Sequence, residues 1–177
     1  MHRSLFTLLV LATLVGCSSA HEARDVASGV YELTARGDAD ACSPSRATGG
    51  MGLVGIVSTA GVVNVGVPDV QSHSLARVSL AATAGFHAES VLALEGCERG
   101  EVRRAWTILE TSSLGFSMQL SEEWTGVAEC AGVRELMPAA PESDCRAERV
   151  LEYRLMEACE APCQVRIVES GAACVCD

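Results

Sequence analysis

The stretch GFSMQLS, Gly115–Ser121, puts Phe116, Met118 and Leu120 on one side and Ser117, Gln119 and Ser121 on the other. Period-two alternation is the signature of a strand with one face buried and one wet, because successive side chains point to opposite faces. The same rhythm returns in ERVLEYRLM (148–156), where Leu151, Tyr153 and Leu155 oppose Glu152 and Arg154. It also governs GVYELTAR (29–36), through Tyr31, Leu33 and Ala35. Three such segments spread along one chain predict a β protein.

Residues 52–68 (GLVGIVSTAGVVNVGVP) carry no charge. The Gly and Val content, Asn64 and the Ser-Thr-Ala-Gly break at 58–61 favour a β-hairpin over a membrane helix. Further strands are expected at 74–82 and 86–94, turning near Ala84-Gly85, and at 103–111, pairing across Thr111–Leu114 with 115–121. A strand at Gln164–Ser170 is expected to return antiparallel to 148–156, and residues 122–147 read as a long connection with a short helix. Glu122-Glu123 falls in that connection as an exposed acidic loop. The expected fold is all-β: one antiparallel sandwich or barrel of about nine strands with a disulfide-rich C-terminal part.

Nine cysteines are present, and Cys17 stands apart from the rest. The other eight are Cys42, Cys97, Cys130, Cys145, Cys159, Cys163, Cys174 and Cys176, an even number that reads as four disulfides in an exported chain. Six lie between 130 and 176, so the expected pairing is Cys42 with Cys97 and the six among themselves. Cys159-x3-Cys163 with Cys174-x-Cys176 is also open to reading as a four-thiolate zinc site, a reading the oxidising context disfavours. On a strand, Cys174 and Cys176 share a face and reach two separate partners.

The N-terminal residues suggest that context. Met1 to Ser4 holds Arg3, Leu5 to Val15 is 11 residues without charge, and small residues follow. This is too short to span a bilayer and has the form of a secretory signal. Its end, Leu14-Val15-Gly16-Cys17, resembles the lipobox of bacterial lipoproteins, with Val15 a less common second residue. The resemblance covers residues 1–17 only. It implies cleavage after Gly16, a diacylglycerol on the Cys17 thiol and acylation of the new amine; an ordinary cut after Ala20 is the alternative. Two or three acyl chains anchor effectively permanently, at about 0.8 kcal/mol per buried methylene. Ser18–Ser28 would then be a tether, at most about 36–40 Å stretched and nearer 18 Å as a coil. Ser18 lacks the Asp that retains enteric lipoproteins at the inner membrane, which favours the outer one. The expected organisation is 1–16 signal, 17–28 lipidated cysteine and tether, and 29–177 a β domain with its cysteine-rich part at 130–177.

Composition removes several function classes. The net charge is −10 and every basic side chain besides histidine is Arg. An acidic surface argues against nucleic acid, and a chain without lysine has no P-loop, S-x-x-K or Schiff-base chemistry. G-x-S-x-G is absent and HEARD (21–25) is not H-E-x-x-H. RGD (36–38) is a common tripeptide, and DADAC (38–42) lacks the later ligands of a calcium loop. His87 and Glu89 share a strand face and form an exposed pair, with His73 too far along to join them. Trp106 belongs to the core, and scarce aromatics disfavour sugar binding.

The sequence therefore predicts a lipid-anchored envelope protein that binds rather than catalyses, with no catalytic residue, metal or cofactor. Its partners would be the membrane, through Cys17, and an envelope or external protein. The alternative is a lipocalin-like barrel carrying a small apolar ligand.

Overall fold

The computed structural model describes residues 26–36, 42, 49–68, 75–94, 96–130, 140–161, 163–168 and 171–176. Ten strands are present: β1 (Gly29–Arg36), β2 (Gly49–Thr59), β3 (Val62–Pro68), β4 (Leu75–Ala81), β5 (His87–Ala93), β6 (Glu101–Ser112), β7 (Gly115–Thr125), β8 (Cys145–Ala158), β9 (Gln164–Val168) and β10 (Gly171–Val175). The first eight form a closed antiparallel barrel in chain order, and β9–β10 is a separate two-stranded sheet. The sandwich-or-barrel alternative resolves as a barrel.

The alternation read from the sequence is the barrel's inside-outside pattern. Tyr31, Leu33, Phe116, Met118, Leu120, Leu151 and Tyr153 are buried in one core with Val54, Ile56, Val63, Val65 and Trp106. Phe116 and Tyr153 are direct partners on β7 and β8, their rings stacked 4.5 Å apart, and Tyr31 meets Phe116 edge-on at 5.7 Å. Bulky rings on neighbouring strands fill one level of the barrel, as a small barrel requires.

The uncharged segment is a hairpin. Thr59 pairs with Val62 across Ala60-Gly61, whose φ values of 45° and 80° make the two-residue turn that matches strand twist. No helix among the described residues is long and apolar enough to cross a membrane.

Several expectations need correction. β7 does not stop at Ser121 but continues through Glu122, Glu123 and Trp124 to Thr125, paired with both β6 and β8. Glu122 interrupts the apolar rhythm and hides the continuation. β9 pairs with β10 and not with 148–156, because β8 already has β7 on one edge and β1 on the other. Among the described residues the strands therefore number ten, with the last two outside the barrel.

The cysteine pairing also differs. The disulfides are Cys42–Cys145, Cys97–Cys130, Cys159–Cys174 and Cys163–Cys176. Cys97 precedes β6 and Cys130 follows β7, so the β6–β7 hairpin, in register from Glu101↔Thr125, returns them to the same end. Cys42 joins Cys145 there, around a second small core of Leu94, Val102, Trp124, Val127, Ala140 and Ala147. We call this the far end; the near end is where Val26 and Ser28 enter. Cys174 and Cys176 do reach two separate partners, which replaces the zinc reading with two disulfides. Together the four bonds point to an oxidising, extracytoplasmic compartment.

The β9–β10 hairpin lies on the barrel beside β1 and β2. A Cβ at Gly55 would stand 2.5 Å from Val165 Cγ1, so a glycine there lets the hairpin sit directly on β2. Cys159–Cys174 ties it to the end of β8, where the Cys159 amide donates to the Ser28 carbonyl.

Candidate functional site: two breaks in the barrel wall

The wall is not uniform. β3 and β4 pair over seven residues, as do β5 and β6. β2 and β3, however, pair only at Val57↔Asn64, Ser58↔Val63 and Thr59↔Val62, and β4 and β5 only at Ala81↔His87. Both pairs start together at the near end and splay toward the far end. Each break leaves backbone groups without ladder partners.

The β3 side of the β2–β3 break is filled from within. Even-numbered residues of β3 face β2, because Val63, Val65 and Val67 already oppose Leu80, Val78 and Ala76 on β4, and the Ala82 amide donates to Gly61. The orphaned Gly66 carbonyl accepts from the Tyr153 hydroxyl at 2.9 Å, and that of Pro68 accepts from Arg104 Nη2 at 2.7 Å. Outside, a groove of about 370 Å³ runs between the break and the C-terminal hairpin, bordered by Leu53, Leu75, Ile167 and Val168. All four apolar side chains are exposed, Ile167 by 71%.

Arg104 also anchors a buried polar bar. Its Nε lies 3.0 Å from Glu122 Oε1, an ion-pair contact outside hydrogen-bond angles, and Arg149 Nη1 donates to Glu122 Oε2 at 2.9 Å. Arg104 and Arg149 are 6% exposed and Glu122 3%. The Arg104 guanidinium stands 5.0 Å from the centroid of the Trp106 ring, within cation–π reach. Sequence reading missed all three charged residues. Only the count along the strand could have found them: Glu122 falls two after Leu120, Arg104 two before Trp106, and Arg149 two before Leu151.

The β4–β5 break is a cleft of about 450 Å³. Ala76, Val78 and Ala88 line its inner wall with Ser90, and Arg104 and Trp106 border it from within. Trp106 is 3% exposed, and its indole Nε1 has no hydrogen-bond partner among the described residues. Trp106 is thus core, as expected, but also a wall of the cleft.

The remaining sequence candidates scatter. His87 binds Thr107 Oγ1 through Nδ1 at 2.7 Å and Glu89 Oε1 through Nε2 at 2.9 Å, the expected surface pair at the hinge of the break. His73, Cys17 and the tether up to residue 25 lie outside the described residues, as do Gly37 and Asp38 of the RGD and most of DADAC. No known protein family, curated protein or solved structure matches this chain.

Proposed function

We propose that this chain is a lipid-anchored protein of the cell envelope that works by binding another protein, with Cys17 as the lipidated residue and the outer membrane as its site. The observation that carries the binding reading is the groove of Leu53, Leu75, Ile167 and Val168, four exposed apolar side chains gathered beside a disulfide-stapled hairpin. Clustered apolar surface of this kind marks interaction sites, whereas single exposed residues are ordinary. The occupant is an envelope or external protein rather than nucleic acid, given the net charge of −10.

A lipocalin-like role is the second reading, favoured by the closed eight-stranded barrel. Against it, Tyr31, Tyr153, Leu33, Met118, Leu120 and Leu151 pack the interior, and the Arg104–Glu122–Arg149 bar crosses it.

The test is a photo-crosslinking residue at Ile167 in producing cells, with the same residue at exposed Glu142 as control. A discrete crosslinked protein from position 167 and none from 142 supports the binding role. Equal labelling from both, or stoichiometric lipid extracted from the purified native protein, overturns it. Labelled palmitate incorporated by the native chain and not by Cys17→Ala tests the anchor separately.

A further inference from the structure

The two breaks differ in one respect. On the β3 side of the β2–β3 break, interior side chains take the Gly66 and Pro68 carbonyls, and a hairpin borders that break outside. In the β4–β5 break no described residue does the same. We infer that the β4–β5 break is a strand-addition site, which accepts an extended polypeptide segment of the partner; this rests on the protein-binding reading above.

The hydrogen-bonding pattern fixes which groups are on offer. In β4 the even-numbered residues face β3, so Leu75, Arg77 and Ser79 turn their N–H and C=O groups into the break. In β5 the Leu94 amide donates to Gly100 on the β6 side, so even positions face β6, while Glu89, Val91 and Ala93 face the break. Each edge thus presents three donors and three acceptors at strand spacing. All six of these residues have exposed side chains. An unpaired edge is a template for another strand, and proteins ordinarily blunt or cover it. Here one edge faces another across a cleft, so a segment between them pairs on both sides, antiparallel to one and parallel to the other.

The cleft's chemistry specifies the occupant further. Four of the inner-wall side chains are small, Ala76, Val78, Ala88 and Ser90, and beside Leu92 they leave room for the inward-facing side chains of an added strand. Trp106 borders this wall, and its buried indole N–H has no partner among the described residues. An inward side chain carrying a hydrogen-bond acceptor, such as Asn, Gln, Ser or a carboxylate, satisfies it. A purely aliphatic lipid chain offers neither backbone pairing nor that acceptor. The segment enters from the far end, because the strands are joined at Ala81↔His87 near the other.

The experiment uses the full native chain in detergent with its disulfides intact, and a phage-displayed library of linear ten-residue peptides as the probe. Enriched peptides are resynthesised with N-methyl groups at either odd or even positions. The expected result is binding that one methylation parity abolishes or both weaken, with slowed amide exchange in Arg77, Ser79, Glu89 and Val91. Val91→Pro and Arg77→Pro remove backbone donors that lie outside every ladder, and each weakens peptide binding about tenfold, the worth of one backbone hydrogen bond. Failure to enrich any linear peptide overturns the inference. So does binding indifferent to N-methylation, protection confined to other strands, or occupation of the cleft by a second copy, seen as a dimer whose β4 and β5 amides are protected. Loss of crosslinking at Ile167 would instead remove the protein-binding reading itself, and the two failures are separately visible.

Discussion

Glu122 is held between two guanidinium groups, 3.0 Å from Arg104 Nε and 2.9 Å from Arg149 Nη1, inside the barrel wall. Its neighbour Glu123 points to solvent. Removing one member of a buried ion group leaves the others uncompensated, at about 3–5 kcal/mol. Glu122→Gln should therefore lower unfolding free energy by about 3 kcal/mol in urea titration, while Glu123→Gln stays within about 0.5 kcal/mol. Equal effects at the two positions would refute the buried placement.

The chain's two tyrosines, Tyr31 and Tyr153, are both buried. Burial raises Tyr31 from 10.0 to about 12, and raises Tyr153 further. A raised folded value means the native state holds its proton more tightly than the unfolded chain. That stability is fully present below pH 10.0 and is lost as pH rises toward about 12. Phenolate absorbance should appear only together with loss of tertiary structure, in one cooperative step. Independent ionisation of either ring near its free value, with the fold intact, would contradict the packing.

Asp144 acts at the opposite extreme of pH. Its carboxylate accepts the Val127 amide at 2.8 Å, and backbone donors at Gly126, Val127 and Ala128 draw it below 3.8. It caps the 3-10 turn at Val127–Glu129, whose own N-cap residue, Gly126, has no side chain to do so. A depressed folded value contributes stability above 3.8 that disappears as pH falls through the folded value. Asp144→Asn should flatten this part of the acid-denaturation curve, measured as melting temperature against pH.

The disulfides differ in the loops they close. Cys42–Cys145 spans 103 residues and Cys163–Cys176 spans 13. On the chain-entropy estimate these contribute about 4.7 and about 3 kcal/mol. Replacing both cysteines by serine should lower the unfolding free energy more at the first pair, read from urea titrations with each variant's own slope. Non-reducing peptide mapping should show the four pairs described, and a Cys42–Cys97 peptide would contradict them.

Ala60 occupies the left-handed region, at φ 45°, before Gly61. Asn tolerates that conformation better than Ala, and Asn-Gly is the preferred pair for this turn. Ala60→Asn should raise stability by about 1 kcal/mol, visible as a higher melting temperature.

Period-two patterning made most of the barrel legible. Tyr31, Leu33, Phe116, Met118, Leu120, Leu151 and Tyr153 were all readable as inward residues, and the hairpin at Ala60-Gly61 announced itself by its break. What stayed hidden came from contacts between distant segments. Glu122, Arg104 and Arg149 lie on inward positions, but hydropathy alone marks a charge as exposed, and only their meeting inside the barrel makes burial tolerable. The pairing of Cys97 with Cys130 depends on the register of β6 against β7 rather than on cysteine spacing. The break between β4 and β5 was not legible, because both strands pair fully on their other edges and the weak alternation of β5, with Ser90 inward and Val91 exposed, has no reading as a gap from sequence alone.

β1 enters the barrel at Gly29 with β2 along one edge and β8 along the other. A pull applied at Gly29 along β1 acts at right angles to the bonds of both its ladders. The load is shared by both ladders in shear instead of peeling one bond at a time. The same end is cross-linked to the hairpin through Cys159–Cys174. With the proposed anchor on Cys17, force on the domain meets the strand that two ladders hold in shear.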